Sequence, residues 1–355
     1  MTHSHGIMVL GLATTVLFGC GGSNAPGAAT GSPDGSANGA AGQGTCVTGS
    51  GVTKLYDFGG TVPTQPLVVG NEVLIATSSS IIAVPLSGGA ARTIASAEAP
   101  SAATFLKGNV YYQGLQAVPG SDMDAGVPVP SESQLFSVPF AGGTPAVVPG
   151  LAHFTPLAAD TSTLYLGLGN GVSRWEPPSG SPVSVNLDSN LLIDAFVVYG
   201  NYLYFASQDI GAGGLSNGVI ARIATNGGST ERLLSGLGHP WELAADADSL
   251  YWAEAPPSIT GNGHLAKSTL TGSGLTKVAD VNAISIATFK GRVYFSTGSE
   301  VKMLAAPGGS STDIATGLNE AGLLTVSGAN IVWVEPSQQK LSNTAPAALM
   351  TACLP

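Results

Sequence analysis

A segment pattern that recurs seven times constrains the fold of this 355-residue chain more than any other feature. Its clearest copy covers residues 239–254, where an apolar segment ending near Asp246 precedes the segment Ser-Leu-Tyr-Trp-Ala. Related second segments are centred on Leu74, Tyr111, Tyr165, Tyr204, Tyr251, Tyr294 and Trp333. Copies spaced roughly 40 to 50 residues apart are typical of repeats that each form one supersecondary unit. The chain is therefore expected to fold as an array of similar units.

Glycine-containing turns divide each unit into strands. Tight hairpin turns need positive φ, which glycine adopts at little cost. The turns are Gly88-Gly89, Gly142-Gly143, Ser179-Gly180, Gly227-Gly228, Ser273-Gly274 and Gly308-Gly309. No segment after the tether has convincing helical periodicity, and four short strands per unit indicate one propeller blade. We predict an all-β, seven-bladed β-propeller, with six or eight blades as the alternatives.

A short strand after each glycine turn is predicted to be the outermost strand of its blade. Six such strands are visible, at residues 93–95, 146–148, 183–185, 232–234, 277–279 and 313–315. The seventh is predicted at Thr53–Asp57, which resembles residues 277–280. This N-terminal strand would complete the last blade, and closing the ring would protect sheet edges from aggregation.

The charge balance argues against a nucleic-acid partner. The net charge is −10, and the whole chain has only 12 lysines and arginines. Because affinity for phosphates comes largely from clustered cations that displace counterions, we expect no nucleic-acid binding.

The first 20 residues have the features of an export signal. The apolar run at residues 7–18 is too short to span a bilayer comfortably and is typical of a signal-peptide core. It leads to Leu17-Phe18-Gly19-Cys20, which resembles the lipoprotein signal of bacteria. That resemblance implies a signal peptide over residues 1–19, lipidation of Cys20 and, since no Asp follows Cys20, an outer-membrane location in the cell envelope. An ordinary secretory signal with an incidental cysteine is the alternative.

Residues 20–45 are predicted to be a flexible tether, because Gly, Ala, Ser and similar residues cannot bury enough apolar area to offset their ordering entropy. The propeller domain would then cover residues 46–355. With Cys20 assigned to the lipid, Cys46 and Cys353 remain, and we predict that they form a disulfide in the oxidising exported compartment. Two free buried thiols are the alternative.

One face of the predicted propeller carries the candidate ligand residues. Three long connections between second and third strands fall there, at Gly114–Glu132, Ser207–Gly218 and Ala255–Gly263. Rigid scaffolds commonly carry function on such loops, although tolerated surface insertions are the alternative. His153 and His239 occupy equivalent positions near the channel mouth. The neighbouring candidates are Trp241, Glu98, Asn190, Asn282 and Glu320.

The sequence contains no catalytic or metal-binding motif that assigns a reaction. Zinc sites in hydrolases usually need three protein ligands, and neither HExxH nor a GxSxG, Walker or GxGxxG motif is found. We therefore predict no cofactor, no metal and no catalytic residue. Asp160, Asp246 and Asp248 are expected to stabilise turns instead, since Asp side chains accept hydrogen bonds from nearby backbone donors.

The segments Pro240–Asp246 and Leu250-Tyr251-Trp252-Ala253-Glu254 resemble YWTD-type and NHL-like propeller repeats, a resemblance that extends as a repeat pattern over residues 52–345. YWTD propellers have six blades, whereas seven copies are found here. The resemblance implies a fold and leaves function open. Our leading hypothesis is a non-enzymatic, lipid-anchored scaffold that binds a protein, peptide or glycan through the long loops. The alternatives are a channel-mouth enzyme resembling gluconolactonase or lyase propellers, and a structural envelope protein.

Overall fold

The computed structural model describes residues 51–59, 61, 63–117, 131–152, 157–168, 171–185, 190–209, 217–255, 263–305, 309–335 and 347–354. These residues form 28 β-strands, numbered here in chain order. The predicted signal peptide, Cys20, the tether and Cys46 lie outside the described residues. No helix among the described residues has the length and apolar character needed to cross a bilayer.

The strands form seven four-stranded sheets, each a blade of the propeller. The innermost strands of blades 1 to 7 are β2 (Leu67–Val69), β6 (Ala103–Leu106), β10 (Leu157–Ala159), β14 (Leu191–Tyr199), β18 (His239–Ala245), β22 (Ser285–Phe289) and β26 (Leu324–Ser327). The second strands are β3 (Glu72–Ala76), β7 (Asn109–Ala117), β11 (Leu164–Leu168), β15 (Tyr202–Asp209), β19 (Ser249–Ala255), β23 (Arg292–Ser296) and β27 (Asn330–Glu335).

The outer halves of the blades follow the same order. The third strands are β4 (Ser80–Pro85), β8 (Ser131–Pro139), β12 (Gly171–Trp175), β16 (Gly218–Ala224), β20 (His264–Thr269), β24 (Gly298–Leu304) and β28 (Ala347–Cys353). The outermost strands are β5 (Arg92–Ser96), β9 (Ala146–Ala152), β13 (Val183–Val185), β17 (Glu231–Leu237), β21 (Thr276–Ala279), β25 (Ser311–Ala321) and, in blade 7, β1 (Thr53–Gly59).

The blades close into a ring, and the prediction of a seven-bladed β-propeller is confirmed. Inner strands of successive blades contact one another, and β26 of blade 7 contacts β2 of blade 1. In the sheet of blade 7, β1 pairs antiparallel with β28, so that Thr53 lies opposite Thr351 and Gly59 opposite Ala347. The first described strand therefore shares a sheet with the last three.

The hydrophobic core of the described residues consists of seven clusters, one between each pair of neighbouring blades. Successive side chains of a strand point to opposite faces of its sheet. On β19, Tyr251 accordingly packs between blades 5 and 6, while Trp252 packs between blades 4 and 5. The repeated Leu-Tyr-aromatic segment thus covers both faces of a blade, which is why it recurs once per unit.

Two of the predicted Asp turns have the expected geometry. Asp160 Oδ1 accepts hydrogen bonds from the backbone N–H groups of Ser162 and Thr163, both at 2.7 Å. Asp246 Oδ1 accepts them from Asp248 at 3.0 Å and Ser249 at 2.9 Å. The side chains of Asp160 and Asp246 therefore stabilise hairpins between first and second strands, and Asp248 contributes only its backbone N–H.

Candidate functional site

Strand order decides which connections share a face of the propeller. Neighbouring strands in every blade are antiparallel. Connections from second to third strands therefore lie at the same end as connections from an outermost strand to the next blade. We call this end the loop face and the opposite end the turn face. The hydrogen bond from Gly263 N to Asn282 Oδ1, at 2.6 Å, joins the two kinds of connection on the loop face.

Long connections distinguish four blades on the loop face. The strands of blades 2, 4 and 5 extend into the three predicted long connections, leaving 118–130, 210–217 and 256–263 between them. Blade 7 has a fourth, 336–346, which the sequence analysis missed because the repeat is least regular at the C-terminal end. The tips of all four lie outside the described residues.

His239 and Asp194 face each other across neighbouring blades. His239 Nε2 lies 3.3 Å from Asp194 Oδ2, within ion-pairing distance, although the two atoms are not aligned for a hydrogen bond. Asp194 occupies a bulge in β14, and Trp241 occupies the corresponding bulge in β18. The His239 and Trp241 rings meet edge to face at 6.4 Å. The bulges thus help to bring an acid, an imidazole and an indole together where inner strands meet the loop face.

A second acid–imidazole pair lies next to the first. Glu254, at the loop-face end of β19, is 6% exposed. Its Oε1 accepts a hydrogen bond from Gly238 N at 2.5 Å, and its Oε2 accepts one from Trp252 Nε1 at 3.0 Å. Its Oε2 also lies 3.6 Å from His264 Nε2. Because Gly238 directly precedes His239, Glu254 fixes the backbone that presents the first pair.

Glu242 is a further acid on the inner strand β18. It is 5% exposed, and burial raises the pKa of its carboxyl group to about 8. Its cross-strand neighbour is Ala253, which packs between blades 5 and 6. Sequence reasoning missed both Glu242 and Asp194, although each is an acid within an otherwise apolar strand, and that signal is visible in the sequence.

The remaining predicted residues are dispersed. Asn282 is exposed in the connection from β21 to β22 and accepts the Gly263 hydrogen bond. Glu320 lies within β25, at a positive φ of 62°, rather than in a connection. Glu98 lines a cavity between blades 1 and 2. Asn190 directly precedes β14, as expected of a residue leading into an inner strand.

His153, the other histidine of the predicted pair, lies outside the described residues. Within the part of the chain that the structure describes, no group of three or more His, Cys, Asp and Glu side chains is placed to hold a metal ion.

No family model matches the chain, and no curated protein matches it. Solved propellers match its fold. The β-propeller domain of the Trilobed protease from Pyrococcus furiosus, described as having an open velcro topology, aligns at TM-score 0.61 and 12% identity, covering 82% of this chain and 95% of that chain. BamB from Moraxella catarrhalis aligns at TM-score 0.50 and 17% identity, covering 85% and 88%. YCF48 from Cyanidioschyzon merolae aligns at TM-score 0.57 and 8% identity, covering 86% and 98%. At such identities the similarity shows the β-propeller fold alone.

Proposed function

We propose that the protein is an exported, lipid-anchored β-propeller that binds a protein, peptide or glycan through its loop face. The signal-like residues 1–19 and Cys20 support the anchor, and the Gly/Ala/Ser-rich residues 20–45 support a tether between anchor and domain. An outer-membrane location follows from the lack of Asp after Cys20.

The two faces of the propeller differ in the lengths of their connections, and this difference is the observation that carries the proposal. On the loop face, second and third strands are joined by long connections in blades 2, 4, 5 and 7, but only by 77–79, 169–170 and 297 in blades 1, 3 and 6. On the turn face, connections have two to seven residues, from first-to-second connections such as 70–71 to the third-to-fourth connection 176–182, whereas 118–130 and 336–346 on the loop face are longer. Loops enlarged on one face of a rigid scaffold are typical of binding proteins.

Loop replacement tests the proposal. Purified protein would be applied to glycan and peptide arrays, and each hit would be measured again with variants in which 118–130 or 336–346 is replaced by Asn-Gly. We expect at least one replacement to abolish binding. The control carries Asn226→Ala and Lys290→Ala, two exposed residues of the turn face, and should bind normally. If every hit survives both loop replacements, or if hits are lost in the control, binding through these two long connections would be contradicted.

Metabolic labelling with a palmitate analogue tests the anchor separately. The full chain expressed in a bacterium should incorporate label, and Cys20→Ser should not, because the thiol of Cys20 is the acceptor in the proposal. Equal labelling of both chains, or no labelling of the unmodified one, would remove the anchor from the proposed function.

An enzyme acting at the channel mouth is the second candidate. The observation that favours it is the His239–Asp194 pair, since an imidazole oriented by a carboxylate is a common general base. Metal analysis and substrate screening of His239→Ala, alone and with His153→Ala, distinguish the two candidates. A stoichiometric metal lost with these histidines would favour the enzyme. The third hypothesis, a structural envelope protein, predicts that neither a ligand nor a substrate is found.

A further inference from the structure

A cavity of about 290 Å³ lies between blades 1 and 2. His239 and Asp194 lie in other blades, 5 and 4. Its walls are mainly apolar and come from Tyr112, Leu115, Phe136 and Pro145, while Glu98 and Gln116 add polar groups. Pockets for whole small ligands usually measure about 300 to 1,000 Å³. At about 290 Å³ this cavity lies at the lower end of that range, and it has room for one long side chain.

One wall of the cavity is aromatic, and its accessible ring is the half-buried Phe136, because Tyr112 is only 1% exposed. The rings of Tyr112 and Phe136 stack at a centroid distance of 5.3 Å and an interplanar angle of 13°. Burial raises the pKa of Tyr112 to about 12, so its hydroxyl stays neutral at physiological pH. Aromatic rings attract cations through their negative faces, and alkyl stems gain by leaving water.

Glu98 supplies the charge that a cation would need. It is exposed, and no salt bridge among the described residues includes it. Among the described residues that line the cavity, none is Lys, Arg or His, and the whole chain has a net charge of −10. The charge of Glu98 therefore favours a cationic ligand over an anionic one.

The segment that carries Glu98 is fixed in place. Leu115 N donates to Glu98 O at 2.9 Å, and Ser101 Oγ donates to Gln113 Oε1 at 2.8 Å. Ala99 adopts a φ of 42°, a conformation that side chains with a Cβ rarely occupy. Unusual backbone conformations of this kind tend to accumulate where geometry serves a function.

We propose that this cavity binds a basic side chain, lysine or arginine, of a peptide or protein partner. The stem lies along Leu115 and Pro145, and the charged end lies near Glu98 and the ring of Phe136. The inference deepens the proposed function by naming the chemistry of a partner, and it rests on that function only in placing the side chain on a macromolecule.

Short blocked peptides test the cavity directly. The probes are acetyl-Ala-X-Ala-amide with X as lysine, arginine, norleucine or glutamate, titrated into the full-length protein by calorimetry. We expect the lysine or arginine peptide to bind about ten-fold more tightly than norleucine, which has the stem without the charge, and the glutamate peptide not to bind. Glu98→Gln should weaken binding of the basic peptide about ten-fold, as judged on protein whose circular dichroism is unchanged.

Glu176→Gln is the matched control, because it removes the same charge from an exposed position in blade 3. Equal weakening by Glu176→Gln would mean that only the net charge matters and would overturn the inference. So would equal affinities for lysine and norleucine, or no binding of any peptide. The variant with 336–346 replaced should keep basic-peptide binding. If the arrays identify no ligand but the basic peptide still binds, binding through the long connections fails and the cavity stands.

Discussion

Glu242 places a carboxyl group inside the propeller wall, where water cannot solvate its charge. Its ordinary pKa is 4.5, and burial raises the pKa to about 8 in the folded protein. At neutral pH the folded protein therefore holds this carboxyl protonated, whereas the unfolded chain releases the proton near pH 4.5.

Stability should consequently fall as the pH rises between about 4.5 and 8. In that range the folded state binds one more proton than the unfolded state, so each pH unit costs about 1.4 kcal/mol of unfolding free energy. Below about pH 4.5 the Glu242 carboxyl is protonated in both the folded and the unfolded state, and above about pH 8 it is ionised in both. Outside this range the stability therefore no longer depends on Glu242 through pH. In Glu242→Gln this contribution should disappear, and urea unfolding at pH 5, 6, 7 and 8 would measure it.

The exposed Glu176→Gln substitution is the control for this pH series, because it should leave the profile parallel to that of the unmodified protein. Comparing variants removes the contribution of other titrating groups. If Glu242→Gln also gives a parallel profile, Glu242 does not carry a raised pKa in the folded protein.

At the scale of elements, the hairpin between β22 and β23 turns on Lys290 and Gly291. Both have positive φ, 50° and 72°. Two-residue turns with positive φ at both positions favour Asn-Gly, because Asn tolerates the left-handed conformation better than Lys.

Lys290→Asn should therefore stabilise the protein by about 0.5 to 1 kcal/mol. Losing the weak contact between Lys290 Nζ and the Phe289 ring, at 5.2 Å, should reduce this gain slightly. Thermal unfolding would show a higher Tm. Lys290→Ala serves as the comparison, since it loses the same ring contact without gaining tolerance for positive φ. A Tm for the Asn variant no higher than that of the Ala variant would refute the argument.

Arginines connect neighbouring blades near the turn face. Arg222 of blade 4 donates from Nη1 to Leu270 O of blade 5 at 2.9 Å, and its guanidinium lies 4.3 Å from the centroid of the Tyr202 ring. Arg92 of blade 1 donates from Nη1 to Phe140 O of blade 2 at 2.7 Å, and its guanidinium lies 4.6 Å from the centroid of the Phe140 ring, which belongs to the next blade, whereas Tyr202 belongs to the same blade as Arg222. In both cases the carbonyl directly follows the third strand of the next blade.

Arg222→Met should lower the unfolding free energy by roughly 1 to 3 kcal/mol, because it removes a charge-assisted hydrogen bond to a backbone carbonyl while keeping an apolar stem. The matched change is Lys277→Met, which breaks the exposed pair with Asp280 and should cost less than about 1 kcal/mol. Both would be measured by urea unfolding. Equal losses would show that Arg222 contributes only as a surface charge.

Elements that depend only on residues within one repeat were predictable from the sequence. Aromatic second strands and glycine turns identified the blades because their constraints, burial on both faces and positive φ, act within one repeat. The partners of Arg222 and the bulges at Asp194 and Trp241 depend on the register between blades or strands, which no single repeat encodes. For the same reason the cavity between blades 1 and 2 that Glu98 lines was not predicted from the sequence.

On the scale of the whole molecule, stability depends on joining the two ends of the propeller domain. The cluster between blades 7 and 1 contains Leu55 and Phe58 of β1 together with Leu349 of β28 and Val73 of blade 1. Separating β1 from β28 would expose this cluster and the edge of β28, and thereby open the ring. A covalent link near this sheet is therefore expected to stabilise the entire domain.

Cys353, the last residue of β28, is disulfide-bonded in the structure, and its predicted partner Cys46 lies outside the described residues. If the pair is Cys46–Cys353, the closed loop spans nearly the whole domain, and the chain-entropy model gives about 5 to 6 kcal/mol of stabilisation. Cys353→Ser should lower the unfolding free energy by up to that amount, and a reducing agent should destabilise the unmodified protein but leave the variant unchanged. Cys46→Ser should behave identically. Titration of the denatured, unreduced protein should find neither thiol reactive, and two reactive cysteines there would disprove the link.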